Sequence, residues 1–447
     1  MSRPPVAVVG AGAAGLTAAI HAARTGARVV LLNAHPRIGL KILMSGGTRC
    51  NVTHRAVSER DYCGGSRHVV ARILRAFTAE ATRAWFERDL GVALKVEDTG
   101  KIFPVSDDAR TVLDALLAEC GRAGVEMRRG ARVIRIERES GGESSAAARF
   151  LLGMERARGS AACGGRVAEP GRVDWPLPVT APEEWLAAAS VVLATGGLSF
   201  PRTGSDGTGY ALARSLGHTL VAPVPALTPL TSDDPLCADL QGLAVEAELS
   251  LWTGGRVEWR TRGPFLFTHF GYSGPAALDL SRHWLRALGR AGITVTMNLA
   301  PGRPPAELEA EWLAAARAPR HTVRRHLSAR IPERLGIALC AAAGLDPALP
   351  LAQVSRAHRR RLLALLTSRP LPISGTLGYE KAEVTAGGVP LAEVNPATLE
   401  SRCCAALHLC GELLDVEGRL GGFNFQWAWS SGTVAGRAAA RSALRTA

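Results

Sequence analysis

Hydrophobic positions in this chain gather into short dense runs separated by irregular or amphipathic stretches, and the first run organises the rest. Val6-Ala7-Val8-Val9 is an apolar run of strand length, followed at once by Gly10-Ala11-Gly12-Ala13-Ala14-Gly15 and a small-residue segment that predicts a helix to about Arg24. Gly26 ends that helix, and Arg28-Val29-Val30-Leu31-Leu32 predicts a second buried strand. Strand, G-x-G-x-x-G, helix, strand is the pattern of a dinucleotide-binding βαβ unit. Gly10 permits the tight turn, Gly12 lets the backbone approach a pyrophosphate, and Gly15 lets the helix lie close on the sheet. The helix N-terminus adds free N–H groups and a positive dipole.

Further along, residues 78–88 and 108–123 carry helical patterns, and Lys101-Ile102-Phe103-Pro104 predicts a short strand. Residues 131–137 alternate polar and apolar as a half-buried strand does. Between 139 and 179 the pattern dissolves into Gly, Ser, Ala and Arg, which predicts a strand meander with long loops. Order returns in Ser190-Val191-Val192-Leu193, a buried strand running into Ala194-Thr195-Gly196-Gly197, and residues 211–216 predict a short helix. Residues 223–300 show short alternating runs with turn signals, such as 244–252 and 294–299, predicting a small β-barrel or sandwich. Residues 303–368 are rich in Ala, Leu and Arg at helical spacing, punctuated by Pro319, Pro332, Pro347 and Pro350. The chain returns at Glu383-Val384-Thr385-Ala386-Gly387-Gly388-Val389. Leu407-His408-Leu409-Cys410-Gly411-Glu412 then predicts a strand ending in Gly and an acid, and Gly421-Gly422-Phe423-Asn424-Phe425-Gln426 opens a last helix over about 427–441.

A strand–turn–helix at each end of the chain predicts an α/β fold. A three-layer, Rossmann-like cofactor domain would be assembled from residues 1–222 and 374–447. An insert at 223–373 would be β-rich over 223–301 and helical over 302–370.

Candidate chemistry sits where these elements end. The second strand should finish on an acid that holds a ribose, but the residue is Asn33, which leaves FAD, NAD and NADP all open. Lys41 then leads into Ser45-Gly46-Gly47-Thr48-Arg49-Cys50-Asn51, a Gly-rich turn able to wrap an anion, with Lys41 and Arg49 adding charge from either side. Residues 201–210 hold three glycines before a helix, so this loop is either flavin-facing or a second phosphate cradle for a nicotinamide nucleotide, the former preferred.

The segment Gly39-Leu40-Lys41-Ile42-Leu43-Met44-Ser45-Gly46-Gly47-Thr48-Arg49-Cys50-Asn51 resembles the signature of the bacterial aminoacetone oxidase-like family of NAD(P)/FAD-dependent oxidoreductases. The resemblance recurs at 194–230, 266–281 and 382–436. It implies a glutathione-reductase-type FAD domain interrupted by an inserted domain. It also implies that FAD is held by Gly10, Gly12, Ala14, Gly15, Asn33, Lys41, Ser45, Gly46, Gly47, Arg49, Cys50, Asn51, Thr195, Gly196 and Gly197. Val133 would contact the adenine through its backbone. Gly411 and Glu412 would reach the ribityl or pyrophosphate region, and Gly422, Asn424 and Gln426 would lie where the last helix faces the pyrimidine edge of the flavin. NADH or NADPH would be a transient electron donor.

Composition narrows the class. At 447 residues, 47% of them hydrophobic, the chain suits two or three globular domains. No apolar run approaches the ~20 residues of a membrane span. A core strand within five residues of the start leaves no room for a signal peptide, and nine cysteines without a C-x-x-C suit free thiols in a reducing cytoplasm rather than a disulfide scaffold or a metal site. The formal charge of +13 is carried by arginine, with Lys41, Lys95, Lys101 and Lys381 the only lysines. Residues 302–370 hold twelve arginines against five acids, more than half of the net charge in a small part of the chain. This is read as a solvated helical face, with an acidic ligand or nucleic acid left open, although Trp312 is the only tryptophan interleaved there.

These readings converge on an FAD-dependent oxidoreductase of a small metabolite, by hydride transfer at flavin N5: an amine or ketone oxidase using O₂, or an NAD(P)H-fed reductase of a C=C bond. The alternative is an FAD protein that binds or modifies RNA through the Arg-rich insert. For proton transfer the candidates are His269, on the irregular stretch Thr268-His269-Phe270-Gly271-Tyr272-Ser273-Gly274-Pro275 that the insert would bring over the flavin, Tyr272, and Cys50, whose pKa the adjacent Arg49 would lower. Oligomeric state is not legible.

Overall fold

The computed structural model describes residues 3–138, 149–156 and 179–445. They form two compact units, Met1–Pro225 with Ala382–Ala447, and Ala226–Lys381.

In the first unit, a five-stranded parallel sheet runs in the order Leu407–Leu409, Ser190–Leu193, Val6–Val9, Val29–Asn33, Glu126–Arg129. Val8 pairs with both Leu31 and Val192, and every residue of Val6–Val9 is buried, as the unbroken apolar pattern of a central parallel strand requires. The two chain ends are joined twice. Leu407–Leu409 extends the sheet, and the last helix, Phe423–Leu444, crosses the first, Ala13–Arg24, at backbone contact. A Cβ on Gly432 would stand 2.5 Å from the Ala14 carbonyl oxygen, and one on Gly436 2.2 Å from that of Ala18. A second, antiparallel sheet is formed by Ala131–Arg138, Phe150–Arg156 and Glu184–Ala188. Of the meander expected over 139–179, Phe150–Arg156 is thus a strand, and residues 139–148 and 157–178 lie outside the described residues.

The helix expected at 78–88 is two pieces. Thr78 accepts the Ala81 N–H and starts Ala79–Ala84, and the chain then widens into a π-helical turn, Trp85–Asp89. Asp108 caps Ala109–Arg122 through the Arg110 N–H at 2.8 Å.

The second unit is built on a seven-stranded antiparallel sheet in the order Arg369–Leu371, Thr294–Asn298, Ala244–Thr253, Arg256–Thr268, Gly271–Ser273, Leu230–Ser232, Ile373–Thr376. The two edge strands are separated in the chain by Pro372 alone, so the sheet must curl until its edges approach, which gives the barrel-like form. Because Ile373–Thr376 pairs with Leu230–Ser232, the unit extends to Lys381, past the 373 suggested by the pattern. Helices Pro305–Ala315, Val323–Ser328, Glu333–Ala343 and Arg356–Ser368 form the helical subdomain and bury Trp312, Leu335 and Leu339 in the same core as Phe265, Phe267 and Met297. Among the described residues, no helix is long and apolar enough to cross a membrane.

Candidate cofactor site

The glycines of the first turn divide by what each one faces. Gly10 has φ +104°, and a Cβ there would stand 2.4 Å from the Ala194 carbonyl oxygen; one on Gly15 would stand 1.8 Å from the Gly10 carbonyl oxygen. Both glycines are required by the protein's own packing. Gly12 is different. It precedes the first helix in extended conformation (φ −85°, ψ −169°), gives that helix no side-chain cap, and a Cβ on it would meet no protein atom within 4 Å. Nothing in the fold itself demands glycine there, and the uncapped N–H groups beside it suit a pyrophosphate.

Asn33 accepts the Ala11 N–H on Oδ1 at 3.1 Å and donates from Nδ2 to the carbonyls of His35, at 2.5 Å, and Arg37, at 3.3 Å. Its amide therefore ties the Gly-rich turn to the loop after the second strand. This explains the departure from an acid, since a carboxylate would turn two donated bonds into repulsion between oxygens. Asn33→Asp is expected to lower stability by about 1–3 kcal/mol, read as a shifted urea midpoint. An unshifted midpoint would show that the amide's donors are dispensable.

Lys41 does not present a free charge. Its Nζ lies 2.6 Å from Glu412 Oε2 and 2.8 Å from Ser199 Oγ. Glu412 Oε1 accepts from Ser199 Oγ at 2.9 Å and from the Thr385 N–H at 3.0 Å, and Thr385 Oγ1 accepts the N–H groups of Leu198 and Ser199. Four distant segments meet in this network, and Gly197 is glycine because a Cβ would stand 2.5 Å from Thr385 Oγ1. Ser199 and Thr385 were missed in the sequence, having no motif of their own.

The turn after Lys41 is conformationally unusual. Gly46, Gly47, Thr48 and Cys50 all have positive φ, and the two non-glycines among them store strain of the kind found at functional sites. Ser45 holds the turn, its Oγ on the Ile42 carbonyl and its own carbonyl accepting the Cys50 N–H. Asn51 is buried and its Oδ1 has no partner, an acceptor available to a donor on a cofactor. The last helix begins at Gly422, φ +93°, again without a side-chain cap, and a Cβ on Gly422 would stand 2.6 Å from the Thr53 carbonyl oxygen. Gly196, φ +76°, and Thr195 sit just past the end of the Ser190–Leu193 strand, with Gly209 packed against Thr195. Val133 is buried beside a β-bulge that locally opens the strand ladder. An open approach at Gly12, two uncapped helix starts and the lone Asn51 acceptor fit a dinucleotide cofactor.

The HI0933-like protein Rossmann domain family matches residues 4–165 and 176–438. The chain belongs to this family. A 3-dehydro-bile acid delta(4,6)-reductase of Clostridium scindens is 33% identical over 97% of this chain and 98% of its own length. A ribosomal RNA dihydrouridine synthase of Escherichia coli K12 is 32% identical over 96% of each. Among solved structures, a flavocytochrome c3 fumarate reductase aligns with TM-score 0.47 at 16% identity, covering 99% of this chain and 78% of that one. The chain is an FAD-dependent oxidoreductase.

Several residues expected to contact the cofactor are occupied within the HI0933-like fold. Arg49 is bound by Glu97 at 2.7 Å and Asp107 at 3.4 Å and lies over the Phe103 ring, so it braces the turn rather than lending a free cation. It does not activate Cys50: the thiol is fully buried, and burial pushes its pKa up to about 12. Asn424 bonds both the N–H and the carbonyl of Gly418. Gln426 is spent on Thr53, Phe77 and Ser430. Both backbone groups of Gly411 bond the last helix, its N–H to Ser431 Oγ and its carbonyl to Trp427, and its missing Cβ makes room for Ala14. Glu412 faces Lys41, as described. The 201–210 loop is tied down by an ion pair from Arg132 to Asp206 and a bond to Thr208. Thr195, Gly196 and Gly197 follow the Ser190–Leu193 strand, and Val133 is the third residue of Ala131–Arg138.

In the insert, His269 is exposed at the tip of the two-residue turn between Arg256–Thr268 and Gly271–Ser273. Tyr272 is not a proton shuttle: it is fully buried, donates to Asp234, and burial holds its phenol well above the ordinary range. Potential ligand atoms of His218, Glu393 and Cys403 lie within 4.8 Å of one another. Ser401 Oγ already accepts the N–H groups of Cys403 and Cys404, so its own hydrogen goes to His218 Nε2, and His218 Nδ1 donates to Glu393. His218 and Glu393 are thus bonded to protein groups.

Proposed function

We propose that this HI0933-like flavoprotein reduces a carbon–carbon double bond conjugated to a carbonyl. The observation that carries the reading is chemical: two relatives of nearly equal similarity act on unrelated molecules, a bile acid and ribosomal RNA. Yet a 3-oxo steroid with Δ4,6 unsaturation and a uracil ring each present a double bond next to a carbonyl, so the shared element is the bond reduced. Bound FAD supplies hydride at flavin N5, with NADH or NADPH as the proposed donor. The chain's own residues do the rest. Gly12 and the first helix start receive the pyrophosphate, Asn33 fixes the turn around it, and Asn51 offers an acceptor. His269 is the proposed proton donor.

The test is anaerobic. The flavin reduced by dithionite is expected to be reoxidised by 2-cyclohexen-1-one or a Δ4,6-3-oxo steroid, and the oxidised flavin to be reduced by NADH or NADPH. Reduction by aminoacetone or other amines, with no reoxidation by any enone, would replace this reading with the oxidase one.

A second reading, RNA as the carrier of that double bond, has its own support. Of the twelve arginines in 302–370, Arg303, Arg324, Arg330, Arg359 and Arg369 pair with acids and Arg334 reaches a backbone carbonyl. Arg317, Arg320, Arg325, Arg356, Arg360 and Arg361 are exposed, with no acidic partner among the described residues. Replacing Arg356, Arg360 and Arg361 with Ala is expected to weaken binding to a ribosomal RNA fragment and to reduce the log–log salt slope by about 3. Flavin content should not change. If the wild type shows no salt-sensitive RNA binding, the face is merely solvated and the small-molecule reading stands.

A further inference from the structure

The barrel of the insert buries a charge pair where an apolar pair would have served packing equally well. Asp234 is 4% exposed and Arg369 9%, and Arg369 donates to Asp234 Oδ2 at 2.7 Å. The same oxygen accepts the Tyr272 hydroxyl at 2.8 Å, while Asp234 Oδ1 accepts the Leu236 N–H at 3.1 Å. Ser232 Oγ stands 3.2 Å from the Tyr272 hydroxyl and donates to the Pro372 carbonyl at 2.6 Å, close to where the two sheet edges meet. Buried ion pairs add little net stability, because desolvation offsets the attraction; what they fix well is geometry.

The geometry fixed here is that of one turn. Tyr272 pairs with Leu230 on one side and Phe267 on the other, and the residues just before it are the turn His269-Phe270 and Gly271. The Phe270 carbonyl accepts the Ser232 N–H at 3.0 Å, and the Gly271 carbonyl accepts Thr268 Oγ1 at 2.9 Å. A Cβ on Gly271 would stand 2.3 Å from the Leu230 carbonyl oxygen, so the turn lies hard against its neighbouring strand. An exposed imidazole at the tip of a hairpin is ordinarily mobile; this one is mounted on one of the most constrained parts of the unit.

We infer that Arg369, Asp234 and Tyr272 form a positioning network that holds the His269 turn in one conformation for proton transfer. The inference rests on the proposed role of His269. It places a second set of residues behind that histidine, since a proton donor that must meet a developing charge loses rate when its direction wanders.

The test uses the FAD-loaded full chain with ¹⁵N-labelled histidine, the His269 resonances being assigned from their loss in His269→Gln. Tyr272→Phe, and Ser232→Ala as a milder second variant, are expected to shift or split the His269 signals while flavin content is kept. With 2-cyclohexen-1-one as oxidant of the reduced flavin, His269→Gln should slow the reaction about 100-fold. Tyr272→Phe should slow it about 10-fold in kcat with KM within twofold, and should cost nothing further in the His269→Gln background, because Tyr272 acts only through His269. A sharp, unshifted His269 signal in both variants overturns the inference, as does an additive double mutant. A normal rate in His269→Gln with a perturbed signal in Tyr272→Phe upholds the positioning and overturns only the proton-donor reading.

Discussion

Gly12→Val is expected to give a folded protein that no longer retains FAD, its affinity reduced at least about 100-fold, or about 2.8 kcal/mol. The backbone at Gly12 is in a region valine adopts readily, and its Cβ would meet no protein atom within 4 Å, so the fold has no quarrel with the substitution. What the new side chain obstructs is the approach of a pyrophosphate to the uncapped helix N-terminus. Gly15→Val supplies the contrast: its Cβ would stand 1.8 Å from the Gly10 carbonyl oxygen, and the expected result is failure to fold. Flavin absorbance per mole of purified protein, read beside circular dichroism, separates the two. A folded Gly12→Val protein with stoichiometric flavin would show that this turn does not carry the pyrophosphate.

Glu412→Ala should be the most damaging polar substitution in the first unit. Glu412 accepts from Lys41, Ser199 and the Thr385 backbone, and its side chain is 18% exposed against 23% for that of Lys41. Removing it leaves a largely buried ammonium with only the Ser199 hydroxyl, together with an unpartnered Thr385 N–H, for an expected loss of about 2–4 kcal/mol. The Lys41→Met, Glu412→Leu double variant should recover much of that loss, since no charge is then stranded. Urea midpoints on flavin-free protein measure both. A single variant within about 0.5 kcal/mol of wild type would mean that Lys41 finds solvent and the network contributes nothing to the fold.

Four side chains singled out in the sequence have partners within the protein that the sequence does not show. Lys41 and Arg49 look like charges offered to an anion, yet each is taken by an acid distant in sequence, Glu412 and Glu97. Asn424 and Gln426 open the last helix where a cofactor contact was expected, but the backbone of Gly418 and the side chain of Thr53 lie closer to hand. A side chain's type is visible in one dimension. Whether its bonding capacity is already spent is not. Cys50 shows the same limit for reactivity: a neighbouring arginine lowers a thiol's pKa only if the thiol is solvated, and this one is buried.

What the sequence determined by itself is what depends on local steric and periodic constraints. Four apolar residues followed by Gly10, Gly12 and Gly15 specify a strand, turn and helix start whatever the rest of the chain does, because only glycine tolerates the Gly10 conformation and the Gly15 approach. The Rossmann-like domain from both chain ends, the β-rich insert and its helices were legible on the same grounds. Tertiary structure alone decided which polar groups remain free: Asn51 Oδ1 without a partner, Asn33 closing its own loop, Gly432 and Gly436 locking the last helix onto the first, and Asp234 with Arg369 behind the His269 turn. The helix contact and the Asp234–Arg369 pair join residues more than a hundred positions apart, and even the short-range bonds of Asn33 depend on how its loop folds back, so no local pattern records them; they exist only once packing has fixed the distances.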